Sequence, residues 1–134
     1  MASPGDHLNR AKQHEASAQS LAHLLPEEGW RIVVNFYAAL HIVDAYLVSK
    51  NPALKPKNHE DRACKMNQFP ELRESRGVRF KQAYSRLRNL GWQVRYEPGY
   101  LSNRGDLDSS DADLATVRGY LRPKVERSLA GPTK

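Results

Sequence analysis

The longest apolar run in the chain, Trp30 to Val48, is hydrophobic on almost every side at helical spacing. Such a run predicts a helix enclosed in the middle of a bundle. It nevertheless carries Asn35, His41 and Asp44. At 100° per residue, Trp30, Tyr37, His41, Asp44 and Val48 fall within an arc of roughly 60° on one face. Before this run, Asp6 is placed to cap a first helix reaching about Leu25, with Leu8, Ala11, Ala18, Leu21 and Leu25 in an interrupted stripe. Pro26-Glu27-Glu28-Gly29 separates that helix from the second, which extends to about Ser49. Pro52 and Pro56 then force a loop.

Asn58 is the expected N-cap of a third helix, with Asp61 approximating a capping box and His59, Arg62, Met66 and Phe69 on one face. Pro70 interrupts it. A further helix from about Pro70 to Leu90 turns Phe80, Ala83, Tyr84 and Leu87 inward and ends at Gly91, with a break at Ser75-Arg76-Gly77 as the alternative to a continuous helix. Tyr96 to Asp108 reads as a turn-rich connection. Ser109 or Ser110 then caps a last helix to about Leu129, with Leu114, Val117, Leu121 and Val125 inward and a kink expected at Pro123. No stretch alternates as a strand does. The predicted fold class is all-α: an up-and-down bundle of four main helices, one of them split. Residues 1–5 are expected to be disordered, 6–129 to form one helical domain and 130–134 to fray.

A chain of 134 residues can bury a core without a disulfide or a structural metal. The single cysteine, Cys64, excludes an internal disulfide and fits a reducing compartment. The N-terminus lacks a basic segment followed by an apolar one, so no signal peptide is expected. Asp44 at the centre of the apolar run would cost about 2.5–3.5 kcal/mol in a bilayer. A cytoplasmic protein with no membrane partner is therefore expected. Net charge is +6, and from Glu71 to Arg95 seven basic residues stand against only Glu71 and Glu74. That excess suits a polyanion, although a solvated helix face has the same composition.

Several side chains could carry chemistry. His41 and Asp44 stand one turn apart, either as a general acid/base or anion-gripping pair or as a core pair fixing helix register. His59 and Arg62 repeat the spacing at a helix start, where phosphate binding is one reading and an Arg62–Asp44 salt bridge the other. Tyr37, Tyr84 and Tyr96 can add hydroxyls. No paired-cysteine zinc pattern exists, and His7, His14 and His23 are too spread to be ligands by spacing, so neither a metal nor another cofactor is expected. There is no Gly-rich phosphate loop and no nucleophile elbow.

Tyr37-Ala38-Ala39-Leu40-His41, then Ala45-Tyr46-Leu47, a Pro-containing loop to His59, Tyr84-x-x-Leu87-Arg88 and Arg95-Tyr96 together resemble the HEPN-domain proteins of bacteria and archaea. The likeness spans roughly Leu8 to Tyr96. It implies an α-helical bundle that usually forms a homodimer, often in toxin–antitoxin or phage-defence settings, and often a metal-independent ribonuclease. That family's signature is an arginine, a polar residue and then a histidine after four to six intervening residues. The nearest match here is Arg88 to Gln93, with glutamine in the histidine's place. An amide cannot exchange protons near neutral pH. The resemblance therefore implies a non-cleaving module binding RNA or a nucleotide through Arg62, Arg86, Arg88, Gln93, Arg95 and Tyr96, with His41, Asp44 and His59 lining a polar pocket that Tyr37 helps to close. The alternatives are a ribonuclease using His41 or His59 as catalytic group, and a dimeric adaptor or antitoxin-like subunit for a partner protein.

Overall fold

The computed structural model describes residues 3–13, 28–97 and 103–130. They form five α-helices: α1 (residues 4–13), α2 (Glu28–Lys50), α3 (His59–Met66), α4 (Ser75–Tyr96) and α5 (Arg104–Leu129). Short 3-10 turns lie at Pro52–Leu54 and Pro70–Leu72. No strand occurs among the described residues. The protein is all-α.

α2 is the axis. Ile32, Phe36, Ala38, Ala39, Ile42, Val43, Ala45, Tyr46 and Leu47 are fully enclosed. α4 and α5 both pack on α2 and on each other. The expected stripes on α4 (Phe80, Ala83, Tyr84, Leu87) and α5 (Leu114, Val117, Leu121, Val125) are all buried. Each large side chain so enclosed contributes about 1.5–3 kcal/mol of transfer free energy. Gly91 near the end of α4 meets Phe36 near the start of α2, while Glu71, just before α4, meets Tyr46 near the end of α2. The two helices are therefore antiparallel. By length and composition, Gly29–Lys50 could cross a membrane, but 78% of its most apolar window is buried inside the fold.

Helix boundaries follow local hydrogen bonding. Asn58 caps α3 by accepting from the Asp61 N–H at 2.8 Å, as expected, and the Asp61 carboxylate accepts from the Lys57 N–H at 2.9 Å. The first helix starts earlier than its sequence suggests. Ser3, not Asp6, is the cap: its hydroxyl accepts from the Asp6 N–H and the Asp6 carboxylate accepts from the Ser3 N–H, and the helix begins at residue 4. Its expected continuation to Leu25 falls on residues 14–27, outside the described residues, as does the tail from 131. The last helix also starts early. Asn103 and Asp106 form a reciprocal capping box, and Ser110 lies inside α5 with its hydroxyl donating to the Leu107 carbonyl.

Two glycines decide how α4 packs. Gly91 does not end the helix, which continues to Tyr96; a Cβ at this position would lie 3.3 Å from the Phe36 Cβ, so glycine lets α4 approach α2 closely. Gly77 sits in the first turn, where a Cβ would come within 2.4 Å of the Leu72 carbonyl carbon. The 3-10 turn folds directly over this spot, which is why α4 starts at Ser75 rather than Pro70.

Backbone cannot yield as a side chain does, so Gly77→Ala should lose about 1–3 kcal/mol in a urea melt. Gly119, on the open side of α5 with nothing within 4 Å of its missing Cβ, gives the opposite expectation. Gly119→Ala should gain about 0.5–1 kcal/mol from reduced chain entropy.

Candidate functional site

Asp44 points from α2 toward α3, and Arg62 meets it. The Arg62 Nε donates to Asp44 Oδ1 at 2.7 Å and Nη2 donates to Oδ2 at 3.2 Å, with both side chains only 8% exposed. Arg62 is buried on an eight-residue helix whose start is fixed by the Asn58 cap, so the guanidinium is delivered by the cap geometry. Burial opposes the Arg62 charge, but hydrogen bonding and attraction to Asp44 outweigh it and raise its pKa. Of the two readings of this spacing, the ion pair is realised.

The same guanidinium orients His59. Arg62 Nη1 lies 3.2 Å from His59 Nδ1. A guanidinium only donates, so Nδ1 must accept and the neutral ring carries its proton on Nε2. Burial, and then the nearby guanidiniums of Arg62, Arg88 and Arg95, hold the His59 pKa below the ordinary histidine value. The imidazole packs 5.8 Å from the Phe36 ring centre. Tyr84 also faces this cluster; burial, partly offset by Arg62, pushes its hydroxyl pKa up to about 12.

Arg95 closes the cluster from the end of α4. Its Nη1 donates to the Tyr37 hydroxyl at 2.5 Å and its Nε donates to the Gly91 carbonyl at 3.1 Å. The guanidinium lies over the rings of Phe36, Tyr37 and Tyr96, 5.0–5.7 Å from their centres. Tyr37, Asp44, His59, Arg62, Arg88 and Arg95 thus converge. Arg86 does not join them: it grips Asp113 on α5 with Nε and Nη2, 2.8–3.3 Å away, on the other side of α4. Gln93 is half-buried on α4, and Tyr96 is exposed beside Trp92.

His41 faces another opening, between α1 and α2. A cleft of about 710 Å³ is lined by Asp6, His7, Asn9, Arg10, Gln13, His41, Asp44 and Lys55. The His7 and His41 rings stack with centres 5.9 Å apart and planes inclined by 24°. Burial, with lesser repulsion from Lys55 and Arg10, lowers the His7 pKa despite the attraction of Asp44 and Asp6. Spacing along the chain gave no reason to join His7 to His41, 34 residues away. The sole signal was its place one turn before Ala11 on the buried stripe of α1.

Compared with protein-family models, curated proteins and solved structures, the chain matches none.

Removing one partner of the buried ion pair strands the other charge, so Arg62→Met should cost about 3–5 kcal/mol, and adding Asp44→Leu should recover much of that loss in thermal melts. His7 and His59 both have depressed pKa values in the fold. Below the unfolded value of about 6.5 the unfolded chain binds more protons, so stability is full above that pH and declines as pH falls through the folded values. The melting temperature should drop between about pH 7.5 and 5, and the drop should be smaller in His59→Gln.

Proposed function

We propose that this bundle is a HEPN-like module that binds RNA or a nucleotide without cleaving it, acting as a homodimer in the cytoplasm in the toxin–antitoxin or phage-defence settings that the resemblance implies. The observation that carries this reading is a cationic and aromatic stripe along α4. Arg88, Trp92, Arg95 and Tyr96 stand at i, i+4, i+7 and i+8, one face of the helix. Trp92 is 54% and Tyr96 59% exposed, their ring centres 5.8 Å apart. Among the described residues neither Arg88 nor Arg95 has a carboxylate partner, so their charge is available to an anion. Exposed rings that stack on bases, beside guanidiniums that hold phosphates, are what single-stranded nucleic acid requires.

The same geometry disfavours proton transfer by His59. With Nδ1 accepting from Arg62, the ring offers a neutral Nε2–H donor, suited to a phosphate oxygen or a base edge rather than to a general base. The adaptor reading draws on one other feature, the exposure of Trp30 (56%) at the start of α2 on the same face as Tyr37. A second copy or a partner protein could cover these rings.

Fluorescence anisotropy with labelled single-stranded RNA separates these readings. Affinity should fall steeply between about 50 and 200 mM salt, and Arg88→Ala should reduce the salt slope by about 0.7, one phosphate contact. Trp92→Ala should weaken binding by about 1–3 kcal/mol at every salt concentration and leave the slope intact. Absence of salt-dependent RNA affinity rejects the binding reading; RNA cleavage lost in His41→Ala or His59→Ala establishes the ribonuclease instead. Light scattering that finds a dimer broken by Trp92→Ala, with no RNA affinity, favours the adaptor.

A further inference from the structure

We propose that His7, His41 and Asp44 bind one divalent transition-metal ion at the floor of the cleft between α1 and α2. This site is separate from the α4 stripe and does not depend on it. One ligand atom from each of the three residues lies within 4.8 Å of the others. Zinc–nitrogen and zinc–oxygen bonds of about 2.0–2.2 Å bring ligand atoms closer than this, a change within reach of side-chain rotation.

Three observations support a metal over a simple polar cluster. First, His7 is 7% exposed and its Nε2 is buried with no hydrogen-bond partner among the described residues. A buried polar atom left in this way costs about 1–3 kcal/mol, and a lone pair aimed at a cation removes the deficit. Second, Asp44 is already oriented. Arg62 takes one lone pair from each carboxylate oxygen and fixes the plane of the group, leaving the remaining lone pairs for an ion. Outer partners of this kind are common behind metal-binding carboxylates. Third, the His41 ring stacks on that of His7 with centres 5.9 Å apart, so both imidazoles reach the same cleft.

The donor set selects the ion. Two imidazoles and one carboxylate suit zinc, cobalt, nickel or ferrous iron and are poor for magnesium or calcium, which prefer oxygen. Three protein ligands leave at least one coordination position, and the cleft supplies it with space. Arg10 and Lys55 on the same walls oppose the incoming cation but favour an anionic oxygen as the remaining ligand. The site therefore suits a metal that carries a small carboxylate or phosphate group with it.

Cobalt titration of the full chain near neutral pH tests the proposal through its visible d–d absorption. The expected result is one Co²⁺ per chain, displaced by Zn²⁺, with affinity reduced at least about tenfold in His7→Gln and in His41→Gln. Cys64→Ser removes the exposed thiol and should leave binding unchanged. Binding should weaken as pH is lowered, because a proton competes with the metal for an imidazole lone pair. A second measurement needs no variant: in the wild-type protein, Zn²⁺ should shift the imidazole NMR signals of His7 and His41 and leave those of His59 in place. No stoichiometric binding, binding that survives both histidine substitutions, loss of binding in Cys64→Ser, or zinc shifts confined to other histidines would each overturn the proposal.

Discussion

The buried pair of Asp44 and Arg62 is the constraint on which the rest of this molecule turns. A carboxylate enclosed in the central helix is intolerable without a cation, and the short helix α3 exists in its position because it delivers one. Once Arg62 is committed, its remaining nitrogen sets the orientation of His59, while the other side of Asp44 faces His7 and His41. One ion pair therefore stands between two different environments. Toward α4 the surroundings are cationic and aromatic; toward α1 they are imidazole-rich and open to a cleft.

Elsewhere, single polar clamps align otherwise apolar interfaces. Asn35 on α2 donates to the Ser110 hydroxyl and the Asp111 carboxylate of α5. Arg86 and Asp113 fix α4 against α5. Glu71, in the turn before α4, accepts from the Tyr46 hydroxyl, pairs with Lys50 and Lys124, and offers its carbonyl to Tyr120. Hydrophobic burial has little directional preference, so these contacts decide which sliding position of each helix is favoured.

Much of this was readable from residue order. The all-round apolar character of α2, the stripes on α4 and α5, and the Asn58 cap all follow from helical periodicity, and the face shared by His59 and Arg62 pointed to Asp44. What periodicity could not supply was contact between distant segments. Gly91 looks like a helix stop until Phe36 is known to lie against it. Asn103-x-x-Asp106 is a capping signal hidden in a polar stretch with only Leu107 to mark a buried face. His7 is uninformative along the chain and meaningful only when α1 docks on α2. Charge density on α4 was visible, but its division into Arg86, neutralised by Asp113, and Arg88 and Arg95, turned toward His59, depends on which helix lies on each side.

The positions of the two tryptophans have a practical corollary. Trp30 and Trp92 are both more than half exposed. Indoles already bathed in water emit at long wavelength in the native state, and denaturation changes their surroundings little. Intrinsic fluorescence is consequently a poor gauge of unfolding for this bundle. It should instead be a sensitive optical reporter of anything that settles on the end of α4.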